Sequence, residues 1–425
     1  MSLEKTQLTL GYIPLTDCAV FAVAKEKGFF EQCGLDVTLR QEVSWANIRD
    51  KLQNDLFDAA QMLAPMVIAA SLGVDGLATQ PMMTAMSLDL NGNAITVSNS
   101  LYDKMRQAEP QLIHDRQLSG RALKQVQQQE TLRFAVVFPY SMHNYQLRYW
   151  LASAGIDPDH DVQCVVVPPP QMVNHLAQGK IDGFCVGEPW NAHAVQQKVG
   201  HTVISGYDIW QNSPEKVLGV TQAWAERHPE THLALIKALL STAQWMDSLD
   251  HRLEVVDILT KNHYINVSAE TIRMSMTGTF QYSPETSPEA APDYNVFYRY
   301  AANFPWRSHA KWFISQMYRW GQLDQLIDID AAARQAYRPD IFRQAAQVLG
   351  MPVPTIDYKL ESQHASPWTL EQASKPMVLG SDLFLDHKMF NADLISDYLR
   401  SFDIRHLHVD LDQLAEFAPN ACQSV

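Results

Sequence analysis

The sequence is poor in positive charge. Lys and Arg number 33 against 47 Asp and Glu, which leaves a net charge of −14 at pH 7. A nucleic-acid surface needs clustered cations to meet phosphates, so direct binding to DNA or RNA is not expected. Any anion site has to be built locally, against the field of the whole chain. Long apolar runs are missing too: no stretch approaches the roughly 20 residues that cross a bilayer. Cysteines are few and scattered. Cys18, Cys33, Cys164, Cys185 and Cys422 form no CxxC pair and no metal-ligand spacing. That pattern points to a reducing compartment and to buried small apolar side chains. No GxSxG, HExxH, P-loop or GxGxxG run occurs, so the common hydrolase, metalloprotease and nucleotide signatures are absent. The fifteen histidines are dispersed, with His406 and His408 the closest pair.

What is present is an α/β pattern written twice in a chain of 425 residues, long enough for two or three domains. Leu8 to Ile13 alternates like a strand and ends at Pro14; Ala19 to Phe30 has helical spacing; Leu35 to Leu39 alternates again. Ser44 can cap a helix through Ile48 and Leu52, Asp58 to Leu63 reads as a strand, and Pro65 can open a helix. The same order returns in the strand Leu132 to Phe138, the helix His143 to Ala154, the strand Val162 to Val167, the helix Gln171 to Gln178 and the strand Ile181 to Val186. Pro14 and Pro139 are 125 residues apart, and Asp58 and Asp182 are 124 apart, as are Pro65 and Pro189. Two related lobes are therefore expected, each a parallel sheet covered by helices on both faces, with a cleft between them. We place the first lobe at residues 6–97, the second at 98–200, a return to the first with C-terminal helices at 201–350, and an extension of unassigned role at 351–425. The polar, Gln-rich run Asp103 to Glu130 reads as a solvated excursion. Helices are expected over His228 to Leu249, Val267 to Gly278 and Ser308 to Gly321, and a loop over Ser283 to Asp293.

Ligands in such sheets bind beyond the carboxyl ends of the strands, where helix N-termini offer free N–H groups. Several polar and aromatic residues fall there. Trp45 begins a helix and is either a core side chain or a flat cleft wall with an indole donor. Asn93 precedes the strand Ala94 to Val97 and is either a turn amide or a ligand donor. His143 lies in the first turn of its helix, where the dipole favours an anion. Gly187 would let backbone N–H approach a ligand. Glu188 and Trp190 lie just behind it, and Glu188, which would repel an anion, is expected to pair with Lys216 or to bind a cation. Lys216 stands at the mouth of the apolar run Val217 to Val220.

These residues, in this order, resemble the nitrate/bicarbonate-binding family of two-lobed solute-binding proteins. The carriers are Gly11-Tyr12-Ile13-Pro14-Leu15-Thr16-Asp17-Cys18-Ala19, Lys25-Glu26-Lys27-Gly28-Phe29-Phe30 and Ser44-Trp45-Ala46-Asn47-Ile48-Arg49-Asp50-Lys51. They continue with Phe138-Pro139-Tyr140-Ser141-Met142-His143-Asn144-Tyr145, Gly187-Glu188-Pro189-Trp190-Asn191, Asn303-Phe304-Pro305-Trp306 and Gln316-Met317-Tyr318-Arg319-Trp320, so the likeness runs from about residue 8 to about residue 350. It implies the type II periplasmic-binding-protein fold and a cleft that clamps one small planar oxyanion. The family's ligand contacts fall on Trp45, Asn93, His143, Gly187 and Lys216, with Asn93 one methylene shorter than the family's glutamine. The lysine, which the bicarbonate-binding branch lacks, favours nitrate or nitrite. No cofactor, no metal and no catalysis are implied. A related thiamine-pyrimidine synthase needs clustered cysteines, and those here are dispersed. The start, Met1 to Gln7, has no basic and apolar leader pattern. The resemblance then points to the cytosolic branch that senses nitrate or nitrite and holds an RNA-binding antiterminator of the ANTAR type until ligand binds. The alternative is a periplasmic receptor of an ABC importer whose leader has been removed.

Overall fold

A computed structural model of the protein describes residues 2–74, 80–261 and 263–417. Cys422 lies outside them, and the other four cysteines are free thiols, Cys18 and Cys185 fully buried. Eleven strands build the frame: β1 (Gln7–Tyr12), β2 (Asp36–Gln41), β3 (Ala59–Leu63), β4 (Met82–Ser87), β5 (Leu90–Asn91), β6 (Asn93–Ser98), β7 (Leu132–Val136), β8 (Val162–Val166), β9 (Gly183–Gly187), β10 (Gly200–Ser205) and β11 (Lys216–Thr221). Ten of them form two five-stranded sheets, ordered β2-β1-β3-β11-β4 and β10-β6-β9-β7-β8, while β5 pairs with the short strand Asn295–Val296. Laid side by side, the sheets match strand for strand. In each, three parallel strands are followed by one antiparallel strand and an edge.

The antiparallel member corrects the expectation of purely parallel sheets. In the second sheet it is β6, which arrives from the first; in the first sheet it is β11, which returns from the second. A strand delivered from the other lobe enters at the carboxyl ends of its neighbours and so runs against them. The two crossings lie side by side, with Leu88 N–H donating to the Lys216 carbonyl at 2.8 Å and Asn91 N–H to the Ser213 carbonyl at 2.9 Å.

Local sequence explains most elements. Ser44 caps the helix Trp45–Gln53 through Asn47 N–H, and Ser141 caps the helix Met142–Ser153 through Asn144 N–H. Gly28, at φ 76°, splits the first helical run into Ala19–Glu26 and Phe29–Gln32. The run Asp103 to Glu130 is not a solvated excursion. It contributes to the helices Asn99–Ala108 and Ser119–Gln127, which bury Leu101, Tyr102, Met105, Ala122, Leu123 and Val126. Apolar residues three to four apart outweigh the glutamines between them. The helices Pro229–Asp247, Ala269–Met276 and Arg307–Arg319 follow the expected pattern.

Residues 351–417 wrap both lobes with little regular structure. Phe384 packs on Tyr149 of the second lobe, at 5.4 Å between ring centroids, and on Trp210 at 4.6 Å. Phe402 takes the Arg319 guanidinium over its face at 3.5 Å. Among the described residues, no helix is long and apolar enough to cross a membrane.

Candidate functional site

The two crossings and the carboxyl ends of the parallel strands meet at one place. Asn93 opens β6 and is registered opposite Gly187, the last residue of β9. Lys216 opens β11 and is registered opposite Leu63, the last residue of β3. Trp45 and His143 sit in the first turns of their helices, one from each half of the duplicated pattern. The structure brings all five together. The Lys216 ammonium lies 5.6 Å from the centre of the Trp45 ring. A Cβ placed on Gly187 would stand 3.3 Å from Asn93 Oδ1 and 3.5 Å from His143 Nε2. All of these side chains are buried, Lys216 and His143 completely.

Three carboxylates that the sequence reading missed stand among them. Lys216 Nζ pairs with Glu215 and, at 3.0 Å, with Asp17 Oδ2. Asp89 Oδ1 accepts the Lys216 backbone N–H at 2.9 Å. Gln61 donates to Asp17, and Gln146 joins Asn93 Nδ2 at 3.0 Å. Burial raises the Asp17 and Glu215 carboxyls, with Lys216 opposing, and burial together with the Asp17 charge holds Asp89 well above the carboxylate range. Burial works against the Lys216 charge, but Asp17, Glu215 and Asp89 outweigh it and keep the ammonium above its ordinary value. Burial, and then Lys216, hold His143 well below the usual imidazole value, so it is a neutral ring with one donor and one acceptor nitrogen.

Glu188 does not pair with Lys216, contrary to expectation. Its carboxyl accepts from Tyr294 Oη at 2.7 Å and from Ala192 N–H at 3.1 Å, and its burial raises it to about 7 against those donors. Its carbonyl takes the Thr16 N–H at 2.7 Å, a direct tie between the lobes. Trp190 is buried beside it, edge-on to His193.

Several buried polar atoms here have no protein hydrogen-bond partner: Trp45 Nε1, both His143 nitrogens, Asn93 Oδ1, Asp89 Oδ2 and Glu215 Oε2. His143 Nε2 is 3.4 Å from Glu215 Oε1 without making a hydrogen bond. Buried polar groups are normally paired, and leaving them unpaired costs about 1–3 kcal/mol each. Such a concentration at one point is the mark of a place where another polar species is held. One cation, an indole N–H and an imidazole around an aromatic wall suit a small species with acceptor atoms.

Comparison with known proteins agrees with this arrangement. The chain is 43% identical over 351 residues to a nitrate import ATP-binding protein, NrtC, from Synechocystis sp. PCC 6803, a match that covers 82% of this chain and 51% of that protein. It is 39% identical over 350 residues to a bicarbonate transport ATP-binding protein, CmpC, from Synechococcus elongatus, covering 82% of this chain and 50% of that protein. The chain thus spans about half the length of these curated relatives. The crystal structure of the periplasmic nitrate-binding protein NrtA from Synechocystis PCC 6803 superposes with a TM-score of 0.83 at 29% identity, over 95% of this chain and all of that one. The architecture is accordingly the two-lobed periplasmic-binding-protein fold. With a family model matched over residues 1–260 as well, the chain belongs to the NMT1-like family.

Proposed function

We propose that this chain binds nitrate or nitrite between its lobes, through Trp45, Asn93, His143, Gly187 and Lys216, and serves an ABC-type nitrate import system. The observation that carries the reading is the convergence of the Lys216 ammonium with the unpartnered Trp45 and His143 nitrogens at the junction of the two sheets. Nitrate is a planar monoanion that one cation and a few N–H donors can satisfy. A doubly charged tetrahedral anion would call for more donors. One relative is named for nitrate import, a second for bicarbonate transport and a third for nitrate binding. The importer reading therefore replaces that of a cytosolic sensor with an ANTAR-type partner. The relative of known structure is periplasmic, and we place this chain there in preference to the cytoplasm.

Calorimetric titration with nitrate, nitrite, bicarbonate and sulfate tests the reading. One site for nitrate or nitrite is expected, with a rise in melting temperature on saturation, because the ligand binds only the folded state. Tight bicarbonate binding without nitrate binding would refute it. A second expectation concerns Gly187. An added methyl would crowd Asn93 Oδ1 at 3.3 Å and stand in van der Waals contact with Asp17 Oδ2 and His143 Nε2, each at 3.5 Å, filling space beside the donors. Gly187→Ala should keep the fold, since the backbone there is not left-handed, and weaken nitrate by about tenfold or more, roughly 1.4 kcal/mol. Unchanged affinity would move the ligand away from this strand end.

A further inference from the structure

Apart from the residues of the interlobe site, a turn of the second lobe and the C-terminal segment bring three potential metal ligands together. Asp157 and His160 lie between the helix Met142–Ser153 and β8, and His406 comes from the stretch between the helices Ile395–Arg400 and Leu411–Phe417. One ligand atom from each lies within 4.8 Å of the others. His406 Nε2 is 2.9 Å from Asp157 Oδ1, and His160 Nδ1 is 3.0 Å from Asp157 Oδ2. Two imidazole nitrogens from remote parts of the chain thus point at a single carboxylate.

We propose that Asp157, His160 and His406 form a binding site for a divalent transition-metal ion of the zinc type, which staples the C-terminal segment to the second lobe. Zinc takes imidazole nitrogen at about 2.0–2.1 Å and carboxylate oxygen at about 2.0–2.2 Å in a tetrahedron, so its ligands stand about 3.3 Å apart. The two imidazole–carboxylate separations need only a few tenths of an ångström of adjustment, the two imidazole nitrogens, within 4.8 Å of one another, close by turning the exposed His160 ring, and the ion replaces the protons that now bridge the pairs. Two nitrogens and one oxygen suit zinc better than calcium or magnesium, which prefer oxygen alone. Three protein ligands leave the fourth position to water.

The frame is already fixed. Asp157 N–H donates to Asp161 Oδ2 at 2.9 Å and Asp159 N–H to Asp157 Oδ1 at 2.9 Å, which closes the turn. His406 N–H donates to the Arg319 carbonyl at 2.7 Å, and Arg319 Nε returns a bond to the Ile404 carbonyl at 3.2 Å. Asp159 Oδ2, 3.8 Å from His406 Nε2, adds negative charge, although both its oxygens are engaged by Arg148 at 2.6 and 2.8 Å. Lys124 faces Asp161 at 3.6 Å. His160 is the exposed member and closes last.

Titration of zinc chloride into the chelator-treated full chain tests the site. One zinc per chain is expected, with a rise in melting temperature that calcium and magnesium do not produce. His160→Ala and His406→Ala should each weaken that binding by roughly tenfold or more. Because His160 is exposed, its variant should melt like wild type without zinc. Absence of stoichiometric binding by wild type would overturn the proposal. So would retention of wild-type zinc affinity by both variants, which would assign the ion to other surface histidines. The nitrate site shares none of these residues, so loss of one activity leaves the other measurable.

Discussion

Lys216→Met is expected to weaken nitrate binding by about 10- to 100-fold and to destabilise the protein at the same time. The ammonium is the cation at the junction of the lobes, and a charge-assisted hydrogen bond to an anion is worth about 1.5–3 kcal/mol, or about 10- to 100-fold in affinity. It is also the counterion of Asp17 and Glu215 and lies close enough to Asp89 to feel its charge. Removing one partner of a buried ion cluster costs on the order of 3–5 kcal/mol, because the remaining charges stay desolvated. The loss should deepen as pH rises: at low pH the carboxyls take up protons and need the cation less. Calorimetry and thermal melting at two pH values measure both effects. Trp45→Phe provides a gentler check, since it keeps the aromatic wall but drops an indole N–H that has no other partner. It should lose about five- to thirtyfold in nitrate affinity, about 1–2 kcal/mol, with little change in melting temperature. A Lys216→Met protein that folds and binds nitrate like wild type would remove the lysine from the site.

Nitrate binding should tighten as pH falls and should take up protons. With all three carboxylates ionised, one ammonium and a neutral His143 leave the cluster negative, and an entering anion makes it more so. Burial holds Asp17, Glu215 and Asp89 above their ordinary values, so protons are available to this cluster where exposed carboxylates would have lost theirs. The sign follows from linkage. An anion favours the form carrying more protons, so the liganded protein binds more of them than the free protein. Affinity then falls as pH rises through the range in which the free protein sheds them. One coupled proton changes the dissociation constant by up to about tenfold per pH unit, about 1.4 kcal/mol. Titrations from pH 6 to 9, repeated in buffers of different ionisation enthalpy, give the number of protons directly. A flat profile with buffer-independent heats would mean that the carboxylates hold one charge state throughout, and that Lys216 answers to the ligand alone.

How much was legible in the sequence varies with the kind of information each feature needs. The start of the helix Trp45–Gln53 was readable because a cap is a local event: Ser44 bonds to an N–H three residues away. Lys216 could be singled out as a charge at the edge of an apolar run, and Trp45 and His143 as residues at helix starts. Asp17, Asp89 and Glu215 gave no such signal. A carboxylate beside an expected anion site looks misplaced in sequence, and only proximity to Lys216 gives it a role. Glu188 misled for the converse reason, since its partner Tyr294 is 106 residues away. The helices within 99–127 were obscured by polar composition, although their buried residues keep helical spacing.

By itself, the sequence determined the duplicated α/β order, the caps and breaks of its elements, and the types of side chain available to a small anion. These rest on short-range physics: hydrogen bonds within one turn, and the periods at which apolar residues meet a core. Only the tertiary structure decided that β6 and β11 change lobes and run antiparallel, that three carboxylates gather around one ammonium, and that His406 reaches Asp157. Strand direction and charge clustering depend on which distant segments become neighbours, and in this chain the two crossings between the sheets and the wrapping of the C-terminal segment set that.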